Sequence, residues 1–197
     1  MKLILASKSP RRRYLLEIIG LNFSVVPSDY NESKISYRKN PKDFCMELAF
    51  NKANKIAGNY KNKIIIGADT IVVLNDELFP KPKDKNEAKS FLLKLSNKTH
   101  QVYTGISIIK NNKSIVFNES THVTFKKLSN FEINHYVNNY DTLDKAGAYG
   151  IQDWSSIFVE KINGCYFNVV GFPLTKFYSK LKEFSPKIVE NLLVKKI

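Results

Sequence analysis

Histidine, cysteine and arginine are all scarce in this chain of 197 residues. The three histidines, His100, His122 and His135, are scattered without HxxxH or HExxH spacing, which predicts structural roles and not a histidine-built metal centre. The two cysteines, Cys45 and Cys165, have no metal-ligand spacing and read as reduced, buried thiols, not as a disulfide framework. No apolar run approaches the ~20 residues that a membrane span needs. The apolar start MKLILA is cut short by Lys8 and the arginines after it, which argues against a signal peptide. A soluble, cytoplasmic protein without membrane association is expected. Internal repeats and low-complexity segments are also lacking, so solenoid architectures are excluded. What remains, 43% hydrophobic and 12% aromatic residues, is enough for the core of one domain or of two small lobes sharing a sheet.

The formal net charge is +13, which invites a nucleic-acid reading. The lysines, however, are spread along the whole chain, and no helix-turn-helix, zinc-finger or RNP-type signature accompanies them. Charge of this kind supports affinity for polyanions, nucleotides included, without predicting a stable nucleic-acid complex.

Only four of the 31 basic residues are arginine, and Arg11, Arg12 and Arg13 are consecutive. They lie in LILASKSPRRR, between an apolar run, Leu3 to Ala6, and the apolar-periodic Tyr14, Leu15, Ile18 and Ile19. The local pattern predicts a strand, a serine-rich turn and a helix with Ser9 as N-cap and Pro10 at its first position. A helix N-terminus carries partial positive charge, so arginines in its first turn are misplaced unless an anion lies there. Guanidinium groups bind phosphate in a fork that lysine does not offer. The segment reads as a phosphate site, against the alternative of a solvated basic turn.

Further along, Phe23–Val26 predicts a strand, followed by the polar loop SDYNESK. Asn40-Pro41 opens a helix that Gly58 ends. KIIIGADTIVVL, the most hydrophobic stretch, predicts a strand pair or one long strand interrupted at Gly67. Asp84-x-x-Glu87 predicts a capping box for a helix with Ala88, Phe91, Leu92 and Leu95 on one face. Strands over Gln101–Ile109 and Ser114–Phe125 turn at Asn111-Asn112-Lys113, and Ser129-x-x-Glu132 opens a helix to about Asn139. The small-residue loop DTLDKAGAYGIQD suits close approach to a ligand. A hairpin of Ile157–Ile162 and Tyr166–Val170 is expected around Asn163-Gly164, then a helix from Pro173 to Phe184 and a short one from Pro186. Helices interleaved with strands, with an antiparallel middle, predict an α/β fold with a mixed sheet and no clear domain linker.

Asp69 is the only charge within IIIGADTIVVL. A buried lone carboxylate costs several kcal/mol, so it needs a metal, a basic partner or a solvent-lined cleft, unless it is a turn-forming residue after Gly67. Thr70 offers a hydroxyl beside it. Lys52, among the apolar positions of its helix, either snorkels to water or points into a cleft and holds phosphate. Lys81, between Pro80 and Pro82, sits on a stiffened loop. Glu32 is a candidate metal or water ligand, and Gln152 carries the paired donor and acceptor that a base edge requires.

LASKSPRRR, VVPSDYNES, the NKA helix, IIGADTIVV, KPKD, HQVYTG, DKAGAYGIQ and NVVGFPL stand in the order found in the Maf family of nucleotide pyrophosphatases, which the chain resembles from Leu3 to about Phe184. The resemblance implies a single domain, residues 1–197, related to the inosine-triphosphate pyrophosphatases: two lobes around one elongated mixed sheet with a central cleft. It implies hydrolysis of a nucleoside triphosphate between the α- and β-phosphates to the monophosphate and pyrophosphate, with a divalent cation, Mg²⁺, Mn²⁺ or Co²⁺. It places the catalytic acid at Asp69, as direct base or through a metal. Phosphate binding falls on Ser9, Arg11 and Arg12, the acidic loop residue on Glu32, the site lysines on Lys52 and Lys81, and base specificity on Arg11, Thr70 and Gln152. Asp69 and Glu32 are then the metal ligands. This set resembles the subgroup acting on dTTP, UTP and modified pyrimidine nucleotides, with 7-methyl-GTP or another modified purine nucleotide as the alternative. A non-catalytic nucleic-acid or division-regulating protein is the rival class, since the family is also linked with septum formation. A homodimer is suggested. Arg13 and Asp153 depart from the family's commonest form, and Arg13 is expected at the surface.

Overall fold

The computed structural model describes residues 3–194. The elements in chain order are β1 (Leu3–Leu5), α1 (Pro10–Ile18), β2 (Phe23–Val25), α2 (Pro41–Ala57), β3 (Ile64–Leu74), β4 (Glu77–Phe79), α3 (Lys85–Leu95), β5 (Thr99–Lys110), β6 (Lys113–Phe125), α4 (Asn130–Asn139), β7 (Val159–Asn163), α5 (Tyr166–Val170), α6 (Leu174–Phe184) and α7 (Pro186–Val194). Short 3-10 turns cover Glu32–Lys34, Ala146–Ala148 and Trp154–Phe158. The strands form a mixed seven-stranded sheet in the order β2-β1-β3-β5-β6-β7, with β4 paired to β3. The fold is the expected mixed α/β arrangement.

The chain divides into two compact units, Met1–Asp69 with Thr104–Glu119 and Gly171–Ile197, and Thr70–Tyr103 with Ser120–Val170. In the first unit β1 pairs in parallel with both β2 and β3, as strand–helix–strand connections require. Ile4, Ala6, Ala53, Ile56, Ile65 and Ile109 form one of its apolar clusters, joining α2 to the sheet. The second unit has a core rich in aromatics, where Phe79, Phe125, Tyr136 and Phe158 are fully buried. There the α3 residues Ala88, Phe91, Leu92 and Leu95 all face inward, as their spacing predicts. Ser129 and Glu132 complete the reciprocal capping box at the start of α4.

Three details differ from expectation. Gly67 does not interrupt β3, which runs unbroken from Ile64 to Leu74. A β-carbon there would lie 2.1 Å from the Ala49 carbonyl oxygen, so the glycine is a contact point for α2, not a strand break. β4 was absent from the sequence expectation: Asn75 and Asp76, at φ 50° and 63°, form a tight left-handed link that folds it back on β3. Tyr166–Val170 is the helix α5, not the second arm of a hairpin. β7 pairs antiparallel with β6 instead. The apolar, aromatic sequence YFNVV fits a strand by propensity, yet tertiary contacts override it. Buried Asn168 donates from its amide to the Val102 carbonyl and to Thr121 Oγ1, both at 2.9 Å.

Candidate active site

Ser9 caps α1 as expected: its backbone is extended and its hydroxyl accepts from the Arg12 amide at 3.4 Å, with Pro10 next in line. Ser7, which the sequence reading passed over, is buried and does more. Its hydroxyl accepts from the Ser9 amide and from Arg12 Nη1, each at 3.2 Å. Arg12 Nη1 also donates to the Ala68 carbonyl at 2.8 Å, and Nε to the Gly171 carbonyl at 3.1 Å. The guanidinium therefore ties the turn after β1 to the β3 backbone one residue before Asp69 and to the segment leading into α6. Gly171, the second residue missed from sequence, holds φ 117°, a left-handed geometry that disfavours a side chain. Its place in NVVGFPL was the available signal.

The three arginines are not equivalent. Arg13 is on the surface, 64% exposed, with Nε 2.8 Å from Glu17 Oε1 one helical turn on. Arg11 and Arg12 are both partly buried. Burial draws the Arg12 guanidinium below its usual pKa, Asp69 and Glu32 pull it back, and neighbouring Arg11 opposes them. An arginine side chain nevertheless keeps its proton in a protein.

Lys52 reaches the site because of two glycines. Gly67 admits the α2 backbone at Ala49 and Ala53, and Gly105 on β5 admits it at Cys45, where a β-carbon would meet the carbonyl oxygen at 2.2 Å. Lys52 leaves the same stretch of α2, while Asp69 lies two residues beyond Gly67, on the same face of β3. Lys52 Nζ lies 2.5 Å from Asp69 Oδ1 and 2.7 Å from Glu32 Oε1. The lysine does not snorkel to water; its side chain is 13% exposed. Asp69 is 6% exposed, and its basic partner is the lysine. Glu32 opens the 3-10 turn Glu32–Lys34, whose cap is the Asn31 side chain, and reaches Lys52 from an exposed position.

Burial raises the Asp69 pKa above the ordinary carboxyl value. Lys52 and Arg12 work against that rise, and Glu32 adds to it. Cys45, also buried, is pushed up to about 12 by burial and then by Asp69, which leaves an inert thiol and not a nucleophile. Among the described residues no three His, Cys, Asp or Glu side chains form a metal-binding group. Thr70, Lys81 and Gln152 belong to the second unit, where Lys81 and Gln152 are exposed and Thr70 is partly buried.

A buried carboxylate of raised pKa, a bridging ammonium and a second carboxylate make a charged cluster, and the capped start of α1 places Arg12 within its field. The chain belongs to the Maf family: the description "Maf-like protein" matches residues 2–184. It is 47% identical over 184 residues to a dTTP/UTP pyrophosphatase of Bacillus anthracis strain CDC 684 / NRRL 3495, covering 93% of this chain and 96% of that protein. A dTTP/UTP pyrophosphatase of Bacillus mycoides strain KBAB4 is 46% identical over 187 residues, covering 95% and 97%. Among solved structures, the Staphylococcus aureus Ham1 protein aligns with 64% of this chain and 72% of its own, at 15% identity and a TM-score of 0.46.

Proposed function

We propose that this protein is a nucleoside triphosphate pyrophosphatase that hydrolyses dTTP and UTP to the monophosphate and pyrophosphate. Support comes first from the Asp69–Lys52–Glu32 cluster, which a passive polyanion binder does not need: it holds a carboxylate out of water at considerable cost. Support for the substrate comes from relatives named dTTP/UTP pyrophosphatase at 46–47% identity over more than nine tenths of the chain.

In this reading Asp69 activates the attacking water, either by taking its proton directly or by helping to hold the cation beside it. The water oxygen bonds to the α-phosphorus, the bond from that phosphorus to the α,β-bridging oxygen breaks, and pyrophosphate leaves with the electron pair. A base is most useful when its pKa approaches the working pH, and burial moves Asp69 in that direction. Ser9, Arg11, Arg12, Lys52 and Lys81 bind the phosphates and stabilise the charge that develops on them. Arg11, Thr70 and Gln152 select the base. The carboxamide of Gln152 carries one donor and one acceptor, which match the O4 acceptor and N3–H donor of uracil and thymine.

The donor set suits a hard divalent cation. Glu32 Oε1 and Asp69 Oδ1 already converge on one cationic centre, the Lys52 ammonium, at 2.7 and 2.5 Å. Two carboxylates completed by substrate phosphates and water are the usual shell of Mg²⁺, and Mn²⁺ or Co²⁺ take the same donors. Glu32 and Asp69 would hold the ion, whose chemistry is to neutralise charge on the phosphate oxygens. The test is a panel of canonical and modified triphosphates with Mg²⁺, Mn²⁺ or Co²⁺, scored for monophosphate and pyrophosphate. Release of orthophosphate and a diphosphate, or no turnover of dTTP and UTP with any of the three ions, would refute the proposal.

A further inference from the structure

Gln152 is exposed, between buried Ile151 and half-buried Asp153, yet the turn that carries it is fastened from several sides. The Asp153 amide donates to the Gly150 carbonyl at 3.0 Å and closes the turn. One carboxylate oxygen of Asp153, Oδ1, accepts from the Ser155 amide at 3.0 Å and lies 2.8 Å from Ser155 Oγ. The other, Oδ2, accepts from the Tyr136 hydroxyl at 3.1 Å and lies 3.6 Å from Lys145 Nζ. Ser155 Oγ accepts from the Gly150 amide at 3.1 Å and lies 2.9 Å from the Gly150 carbonyl. Lys145 pairs with Asp144 at 3.0 Å and donates to the Asp141 carbonyl.

Packing closes the knot. A β-carbon on Gly150 would lie 2.8 Å from Lys145 Cε and 3.0 Å from Asp153 Oδ2. Tyr136 is fully buried on α4, stacked with Trp154 and edge-on to Phe158, so its hydroxyl is presented by a rigid core. Capping the 3-10 turn Trp154–Phe158 requires only the Ser155 amide bond. The contacts from Tyr136 and Lys145 go beyond that need: they anchor the turn to α4 and to the preceding loop.

The consequence for recognition follows from amide chemistry. Cytosine presents an N4 donor and an N3 acceptor, the reverse of uracil, and a carboxamide turned through half a revolution serves either. A glutamine on a loose turn therefore reads both pyrimidines alike. We infer that Asp153 is a positioning residue that fixes the turn bearing Gln152 and thereby sets the preference for uracil over cytosine. This rests on the reading of Gln152 as a base contact.

The test uses the full-length enzyme with its divalent cation. kcat and KM are measured for UTP and CTP in the wild type, Asp153→Ala, Asp153→Asn, Gln152→Ala and the Gln152→Ala/Asp153→Ala double variant, and hydrogen exchange is followed at residues 150–155. Asp153→Ala is expected to lower the UTP-to-CTP ratio of kcat/KM roughly tenfold, chiefly through KM for UTP, and to speed exchange in the turn. Asp153→Asn, which keeps the acceptor for Ser155 and loses the charge facing Lys145, falls in between. In the Gln152→Ala background, Asp153→Ala changes the ratio no further. A wild-type ratio in Gln152→Ala overturns the base contact itself, and the positioning role with it. If Gln152→Ala shifts the ratio but Asp153→Ala leaves it or the exchange unchanged, or shifts it equally in both backgrounds, the positioning role alone is overturned. Should Asp153→Ala fail to fold, Tyr136→Phe removes one hydroxyl from the same knot. It is expected to shift ratio and exchange in the same direction, and unchanged values would overturn the inference.

Discussion

Replacing Lys52 by methionine keeps most of the unbranched side chain and removes the charge between two carboxylates. The ammonium lies 2.5 Å from Asp69 and 2.7 Å from Glu32, with the Lys52 and Asp69 side chains 13% and 9% exposed. Exposed Glu32 regains water and accounts for about 0–1 kcal/mol. Asp69 has no such recourse: removing one partner of a buried pair costs about 3–5 kcal/mol while the other stays charged. It escapes by binding a proton. Its pKa already lies above the ordinary 3.8 because burial outweighs Lys52 and Arg12, and loss of Lys52 raises it further. The folded variant then binds a proton more tightly than the unfolded chain. Its stability is retained near the ordinary carboxyl pKa and falls as pH rises toward the elevated folded value, by at most about 1.4 kcal/mol per pH unit. Urea unfolding in EDTA at pH values from 4 to 8 reads the effect. Lys52→Met should approach wild type near pH 4 and show a deficit that grows as pH rises toward 8. A deficit that does not change with pH would mean that Lys52 serves packing and does not partner Asp69.

Gly67→Ala should lower stability by about 1–3 kcal/mol or more, because the new methyl meets the Ala49 carbonyl at 2.1 Å; activity should fall with it as α2 carries Lys52 away. Thermal unfolding and kcat together check this, and a wild-type melting temperature would contradict it. His100, hydrogen-bonded to Tyr149 at 2.8 Å, is held near 3 by burial, against 6.5 when unfolded. The unfolded chain therefore takes up a proton that the native state refuses, and stability falls as pH drops from about 6.5 toward 3. His100→Gln should remove about one proton of uptake from unfolding in that window, measurable by the pH dependence of the unfolding free energy. Arg12→Ala removes the guanidinium donors from the Ala68 and Gly171 carbonyls and should reduce both kcat and stability, by about 1–3 kcal/mol for the latter; Arg13→Ala should change either by little. Equal effects in paired assays would refute the distinction.

Local signals carried much of the fold. Caps at Ser9, Asn40, Asp84 and Ser129 start helices where their side-chain chemistry dictates, and β-branched richness marks β3. Non-local contacts account for what was misread. YFNVV is strand-like by composition, yet it is a helix whose buried Asn168 bonds to Val102 and Thr121. Gly67 resembles a strand break until the approach of α2 gives it another reason to exist. At the site, the scarcity of arginine drew attention to Arg12, but sequence could not reveal that its fork meets two backbone carbonyls and Ser7. Asp69 needed a partner on burial grounds alone. Which lysine supplied it depended on where a helix and a strand cross.

On the proposed mechanism, Asp69 drives cleavage of a nucleoside triphosphate between its α- and β-phosphates. The most direct measurement compares pyrophosphate release from dTTP and UTP by the wild type and by Asp69→Asn, which keeps the shape of the side chain and loses its basicity. The wild type should release the monophosphate and pyrophosphate. The variant should retain the circular dichroism spectrum of the wild type and lose about 10²–10⁴-fold in kcat, the range expected for removal of a general base. Wild-type turnover by a folded Asp69→Asn protein would contradict the account.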